Sequence, residues 1–304
     1  MAENILRLDQ VVKRYHKHTA VDGVSFDVEV GRIFGLLGPN GAGKTSLIRI
    51  ITTITGADEG EVLFNGEKLN SNHPSQIGYM PEERGLYKKM KVGEQLIYLA
   101  QLKGMGARES ETAIKGWLSK FGIEDWWNKK IEELSKGMQQ KIQFIATVMH
   151  RPKLLILDEP FSGLDPVNTN LIKDEIRQLN EEGATIVFST HRMEQVEEIC
   201  EEIVLINQGK KVLEGNVGEI RNRFKQNRFM VGFEGSLPAD ISRETFEVVE
   251  DADNHLIIQV KEGHDSNEFL QTLINRKINI TSYQEILPSL NEIFINLVDG
   301  KSDE

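Results

Sequence analysis

The stretch Gly38-Pro39-Asn40-Gly41-Ala42-Gly43-Lys44-Thr45 decides how the residues around it are read. Its spacing, G-x-x-x-x-G-K-[ST], is that of a phosphate-binding loop, which requires a strand before it and a helix after it. Both neighbours qualify. Ile33 to Leu37 is an unbroken apolar run of strand length, and Lys44 to Ile54 carries Leu47, Ile50, Ile51 and Ile54 at helical spacing. Glycines let successive backbone N–H groups turn inward as a nest, and the helix N-terminus adds positive potential where a β-phosphate would sit. Lys44 supplies a point charge for the β- and γ-phosphates, Thr45 a hydroxyl for Mg²⁺, and Ser46 a further hydrogen bond. The expected ligands are therefore the phosphates of a nucleoside triphosphate and Mg²⁺.

Upstream, residues 5 to 38 alternate as strands do, with Val24, Phe26, Val28 and Val30 on one face. Downstream, residues 61 to 80 predict short strands about an Asn65-Gly66 turn. From about Val92 to Met149 the period changes: Leu96, Leu99, Ala100 and Lys103, then Ile114, Leu118 and Phe121, repeat as helices do. Strand signals return at Leu154 to Leu157 and Thr185 to Ser189, around a helix from about Asn168 to Asn180. That βαβ alternation predicts a mainly parallel sheet. Ile203 to Leu213 predicts a hairpin turning at Gln208-Gly209, and the polar, basic stretch 221 to 228 a linker. Beyond it, strands at Met230 to Phe233, Leu256 to Val260 and Ile278 to Tyr283 join helices at Glu268 to Ile274 and Leu290 to Leu297. These predict a small α+β domain.

Leu154-Leu155-Ile156-Leu157-Asp158-Glu159-Pro160 delivers two acids at the C-terminal end of an apolar strand, where α/β sheets bind ligands. Asp158 is expected to hold Mg²⁺ through its water shell, and Glu159 to orient and deprotonate the attacking water. His191 follows the strand Thr185 to Thr190 at the same sheet edge, in position to donate to a γ-phosphate.

Two further stretches complete the series: Leu134-Ser135-Lys136-Gly137-Met138-Gln139-Gln140 opening a helix, and Ser162-Gly163-Leu164-Asp165 after the acidic pair. In order and spacing the whole series resembles the ATP-binding cassette (ABC) family over about residues 4 to 225. The resemblance implies an α/β fold, a P-loop NTPase of the ABC ATPase type over residues 1–225. Its parts would be a mostly parallel sheet, an antiparallel β subdomain and a helical subdomain at about 91–150, with a small acidic α+β accessory domain at 226–304. It implies that Ser135 and Gly137 close over ATP held by a second protomer, that Asp165 lies in the loop linking the two sites, and that Tyr15 stacks on adenine. Two departures stand out. Lys136 and Met138 replace a glycine and a glutamine, and Tyr79-Met80-Pro81-Glu82 ends in glutamate where the family has glutamine, so Glu82 would add negative charge near Mg²⁺.

Both departures and the acidic tail look like the sodium-exporter (Nat-like) branch of bacterial cassette ATPases. The implied function is ATP hydrolysis powering export through a separate integral membrane permease, with sodium ion as candidate cargo. The implied assembly is a homodimer of cassettes, or a heterodimer with a related cassette, in the cytoplasm on the inner face of the plasma membrane. Two other readings remain: a soluble cassette ATPase acting on ribosomes or DNA, and a nucleotide-sensing module without turnover. The first commonly carries two cassettes or a long coiled-coil insertion, which this chain lacks. The second is disfavoured by the joint presence of Lys44, Asp158, Glu159 and His191.

Composition agrees with this reading. The 304 residues suit one large and one small domain, and 39% hydrophobic with 27% charged residues suits a globular core. Apolar runs fall short of the ~20 residues of a membrane-spanning helix, and Met1 to Tyr15 lacks the apolar stretch of a secretory signal. The single cysteine, Cys200, excludes an internal disulfide. Net charge is −11, and residues 229–304 alone hold 15 acidic and 5 basic residues, so nucleic acid is not an expected partner. His16 and His18 read as solvated histidines, Trp126 and Trp127 as packing residues, and Lys88, Lys89 and Lys91 as wet surface.

Overall fold

The computed structural model describes residues 3–83, 85–235, 244–252 and 254–298. The chain divides into two units, Met1–Val217 and Gly218–Glu304.

The first unit begins with β1 (Asn4–Tyr15), β2 (His18–Glu29), β3 (Ile33–Leu37), α1 (Lys44–Ile51), β4 (Glu59–Phe64), β5 (Glu67–Lys68) and β6 (Ile77–Met80). Three helices follow, α2 (Val92–Leu102), α3 (Ala107–Lys120) and α4 (Lys136–Val148). Then come β7 (Leu154–Asp158), α5 (Pro166–Glu181), β8 (Thr185–Thr190), α6 (Met193–Ile199), β9 (Glu202–Asn207) and β10 (Lys210–Asn216). A six-stranded sheet runs β10-β9-β3-β8-β7-β6, parallel except for β10, and an antiparallel sheet runs β2-β1-β4-β5.

The apolar runs explain this layering. Every residue of β3, β7 and β8 is buried, as strands covered on both faces must be. Strands β1 and β2 alternate instead and bury one face, and the Phe26 and Phe34 rings stack 5.5 Å apart to join the two sheets. Asn65 and Gly66 both have positive φ, as a two-residue hairpin turn between β4 and β5 requires. Between β6 and β7, Leu96, Ala100, Ile114, Leu118 and Phe144 bury the inner faces of α2, α3 and α4.

Two expected positions differ. Helix α1 ends at Ile51, where the Thr52 hydroxyl bonds back to Ile48 O at 2.7 Å and Thr53 turns left-handed, which leaves Ile54 exposed. Val30 lies past the end of β2 and its side chain is exposed, although its N–H still donates to Glu3 O at 2.9 Å.

The second unit holds most of α7 (Val217–Arg223), then β11 (Arg228–Glu234), β12 (Phe246–Ala252), β13 (His255–Val260), α8 (Ser266–Asn275), β14 (Asn279–Ile286) and α9 (Leu290–Val298). Its antiparallel sheet, β12-β13-β11-β14, buries Val231, Phe246, Ile258 and their neighbours with Phe269 and Leu273 of α8. The stretch 221–228, expected as a linker, begins inside α7 and ends in β11. Arg221 there donates to the carbonyls of Pro288 (2.9 Å) and Leu287 (3.3 Å). Strand β12 had no clear alternation in the sequence, since Glu247, Glu250 and Asp251 outnumber its buried positions. Among the described residues no helix is long and apolar enough to cross a membrane.

Candidate active site

The glycine loop joins the end of β3 to α1. A β-carbon on Gly38 (φ 147°) would lie 2.1 Å from Ile206 O, and one on Gly43 (φ 112°) would lie 2.3 Å from Ala20 O. Only glycine fits at either position. Lys44 is buried and folds back into the loop, donating to Gly38 O at 2.6 Å and Pro39 O at 3.1 Å. Burial pulls its pKa down, opposed by the charges of Glu159, Asp158 and Glu82. A desolvated ammonium whose hydrogen bonds, among the described residues, go to neutral carbonyls favours an anionic ligand beside it. Ala42 is buried behind the loop, and its carbonyl accepts from Gly209 N at 2.8 Å.

Facing this loop, β7 ends in the two acids. Ser189 Oγ donates to Asp158 Oδ1 at 2.8 Å, while burial, the first cause, raises the Asp158 carboxyl above its ordinary pKa. Glu159 is turned left-handed (φ 49°), and its N–H donates to Ser189 O at 2.9 Å. Its carboxylate accepts from Thr190 Oγ1 (3.0 Å) and His191 N (2.8 Å), and His191 Nδ1 lies 2.6 Å from the same Oε1. Ser189 and Thr190 of β8, with His191 just after it, therefore hold both acids. The sequence pointed to His191 among them but not to Ser189 or Thr190, whose partners become visible only in the β7–β8 register, where Asp158 pairs with Ser189.

One cavity of about 270 Å³ gathers Tyr15, Asn40, Gly41, Gly43, Lys44, Thr45, Ser46, Glu82, Asp158 and Glu159. Tyr15 stands half-exposed at the end of β1, with Lys13 Nζ 5.6 Å from its ring centroid. His18 and Ala20 complete the lining. His18, expected as a solvated side chain, is exposed, and the β1–β2 turn at His16 (φ 52°) sets it at the mouth of the cavity. His191 does not line this space and meets it through Glu159.

Ser135, Gly137 and Asp165 also lie outside it. Ser135 caps α4, its Oγ accepting from Met138 N at 3.3 Å, with Lys136 exposed after it. Asp165 caps α5 through Asn168 N at 2.9 Å, and these hydrogen bonds hold its carboxyl below the ordinary range. A β-carbon on Gly137 would meet Gly163 O at 3.6 Å, an ordinary contact, so nothing in its own chain demands glycine there.

A family model described as ABC transporter matches residues 21–162, and one described as the DrrA1-3-like ATP-binding protein C-terminal domain matches residues 215–298. The ABC transporter ATP-binding protein YhaQ of Bacillus subtilis is 44% identical, over 97% of this chain and 98% of its own length. The linearmycin resistance ATP-binding protein LnrL of the same organism is 32% identical over 96% and 98%. Its ABC transporter ATP-binding protein NatA is 34% identical over 64% and 81%. A solved ATP-binding subunit of an ABC transporter superimposes with a TM-score of 0.68 at 29% identity, covering 72% of this chain and 93% of the other. With a glycine loop, an acidic pair at a strand end and relatives matched over nearly their whole length, this chain belongs to the ATP-binding subunits of ABC transporters, which are P-loop ATPases, and carries a DrrA-like C-terminal domain.

Proposed function

We propose that two copies of this chain hydrolyse ATP in composite sites and drive export through a separate membrane permease, with sodium ion as the cargo to test first. The observation that carries the hydrolytic reading is Glu159, held by Thr190 and His191 on the rim of the cavity that contains Lys44. In this reading the loop N–H groups and Lys44 bind the β- and γ-phosphates, and Tyr15 faces the base. Glu159 takes the proton of the attacking water. His191, already bonded to Glu159, orients that carboxylate and reaches the γ-phosphate when nucleotide is bound. Ser135 and Gly137 act on the partner's nucleotide, which accounts for a glycine that its own chain does not need. Asp165 sits between the two sites.

Mg²⁺ fits the donor set. Asp158 is a buried carboxylate and Thr45 a hydroxyl on the same cavity wall, both hard oxygen ligands. Among the described residues no group of three or more His, Cys, Asp or Glu side chains is placed to hold a metal by itself, and a bound nucleotide would supply further oxygen ligands beside Asp158 and Thr45. Held by Asp158 and Thr45, the ion would neutralise charge on the β- and γ-phosphates of a bound nucleotide. Glu82 lines the same cavity and adds a carboxylate. Glu82→Gln is expected to shift the Mg²⁺ concentration for half-maximal hydrolysis by about three- to tenfold, on the order of 1 kcal/mol for one nearby charge. An unchanged Mg²⁺ titration would place Glu82 outside the metal's reach.

Export is supported by the Nod factor export ATP-binding protein I of Burkholderia thailandensis, 36% identical over 68% of this chain and 69% of its own. The similarity to LnrL over nearly the full chain favours a second cargo class, an antibiotic of the linearmycin kind. Inverted membrane vesicles from the native host separate the two. ATP-driven ²²Na⁺ uptake that disappears with Lys44→Ala supports sodium. Unchanged uptake rejects it, and antibiotic sensitivity of the same Lys44→Ala strain then identifies the second class.

A further inference from the structure

Glu159 adopts φ 49°, a conformation that side chains with a β-carbon disfavour and that persists where surrounding contacts over-determine it. On the sheet side the contacts are the Glu159 N–H to Ser189 O and the Thr190 and His191 bonds to its carboxylate. On the other side lies Pro160, which has no N–H to anchor and offers only its carbonyl. That carbonyl accepts from Gln140 Nε2 at 3.0 Å. Gln140 is 1% exposed, too deeply buried for a residue that merely solubilises a helix. It belongs to α4, whose N-cap is Ser135. Three residues further along the same helix, Gln143 Nε2 donates to Pro81 O at 2.7 Å, directly before Glu82. The turn after Pro160 is fixed as well, by Phe161 against Phe188 (5.3 Å between centroids) and by Lys173 Nζ 5.7 Å from the Phe161 centroid.

We propose that Gln140 is a positioning residue for hydrolysis: by anchoring the Pro160 carbonyl it holds the left-handed turn that aims Glu159. Because Gln140 rides on α4, that aim is tied to the placement of Ser135 on the same helix. The proposal rests on the reading of Glu159 as the general base.

A double-mutant cycle tests it. Gln140→Met keeps the length and burial of the side chain and removes the donor. In the otherwise wild-type chain kcat is expected to fall about tenfold while the KM for ATP stays within twofold. In a Glu159→Gln background no carboxylate remains to be aimed, and the same change is expected to lower the residual rate less than twofold. Equal losses in both backgrounds, as a purely structural role produces, overturn the proposal. So does a folded Gln140→Met variant whose kcat stays within twofold of wild type. If Gln140→Met melts below the assay temperature, Gln140→Asn, which keeps the amide but is one methylene short, passes through the same cycle under the same criteria. A Glu159→Gln chain that hydrolyses at nearly the wild-type rate removes the general-base reading and this proposal with it, an outcome seen before Gln140 is altered.

Discussion

Glu159→Gln is expected to bind MgATP as the wild type does and to hydrolyse it about 10²–10⁴-fold more slowly, the usual loss on removing a general base. The geometry explains why binding survives. The amide oxygen takes the place of Oε1 and still accepts from His191 N, while the amide NH₂ faces Thr190 Oγ1, a hydroxyl that accepts as readily as it donates. The turn at Glu159 and its bond to Ser189 O are untouched. Only the ability to take a proton is lost. Steady-state turnover measured beside the affinity for a fluorescent ATP analogue distinguishes this from a folding defect, which lowers both. Turnover within a fewfold of wild type would remove Glu159 from the chemistry.

What the sequence makes legible here follows the range of the interaction. Gly38 and Gly43 are required by backbone conformation and by carbonyls that press on them, so the requirement is written at those positions. The buried strands β3, β7 and β8 announce themselves as apolar runs, and the acids at the end of β7 come with them. Ser189 and Thr190 are different. Their role depends on which residue of β7 lies opposite, a pairing about 30 residues distant that no local pattern encodes. Gln140 ends the stretch Leu134–Gln140 and Gln143 follows one turn later, but their partners are carbonyls 20 and 62 residues away, which neither position announces. His18 reads as surface and is exposed, and only the hairpin turn shows that it also borders the cavity. The end of α1 departs from the sequence pattern for the opposite reason. Apolar spacing runs on to Ile54, but the local bond of Thr52 to Ile48 O and the left-handed Thr53 terminate the helix first.

The composite site is the claim on which the rest depends. Lys44 lines the cavity, whereas Ser135 and Gly137 stand outside it at the head of α4. In the proposed dimer each nucleotide meets Lys44 of one copy and Ser135 of the other. Lys44→Ala removes the buried ammonium from both sites of its dimer, and Ser135→Arg places a long cation where the partner's phosphate would approach in both sites of its own. Each variant alone is expected to lose about 10²-fold or more in turnover, the scale of a lost transition-state contact. When the two are mixed, both lesions fall in one site of the mixed dimer, and the other site is built from an intact loop and an intact signature. Random pairing makes half the dimers mixed, so recovered activity has a ceiling of about a quarter of wild type. The decisive measurement counts trapped nucleotide per cross-linked mixed dimer, with the host membrane fraction present to supply the permease. One tightly held ATP per mixed dimer, absent from either variant alone, is the predicted result. Confirmed mixed dimers that trap no more nucleotide than the separate variants would contradict it and would mean that each chain completes its site alone.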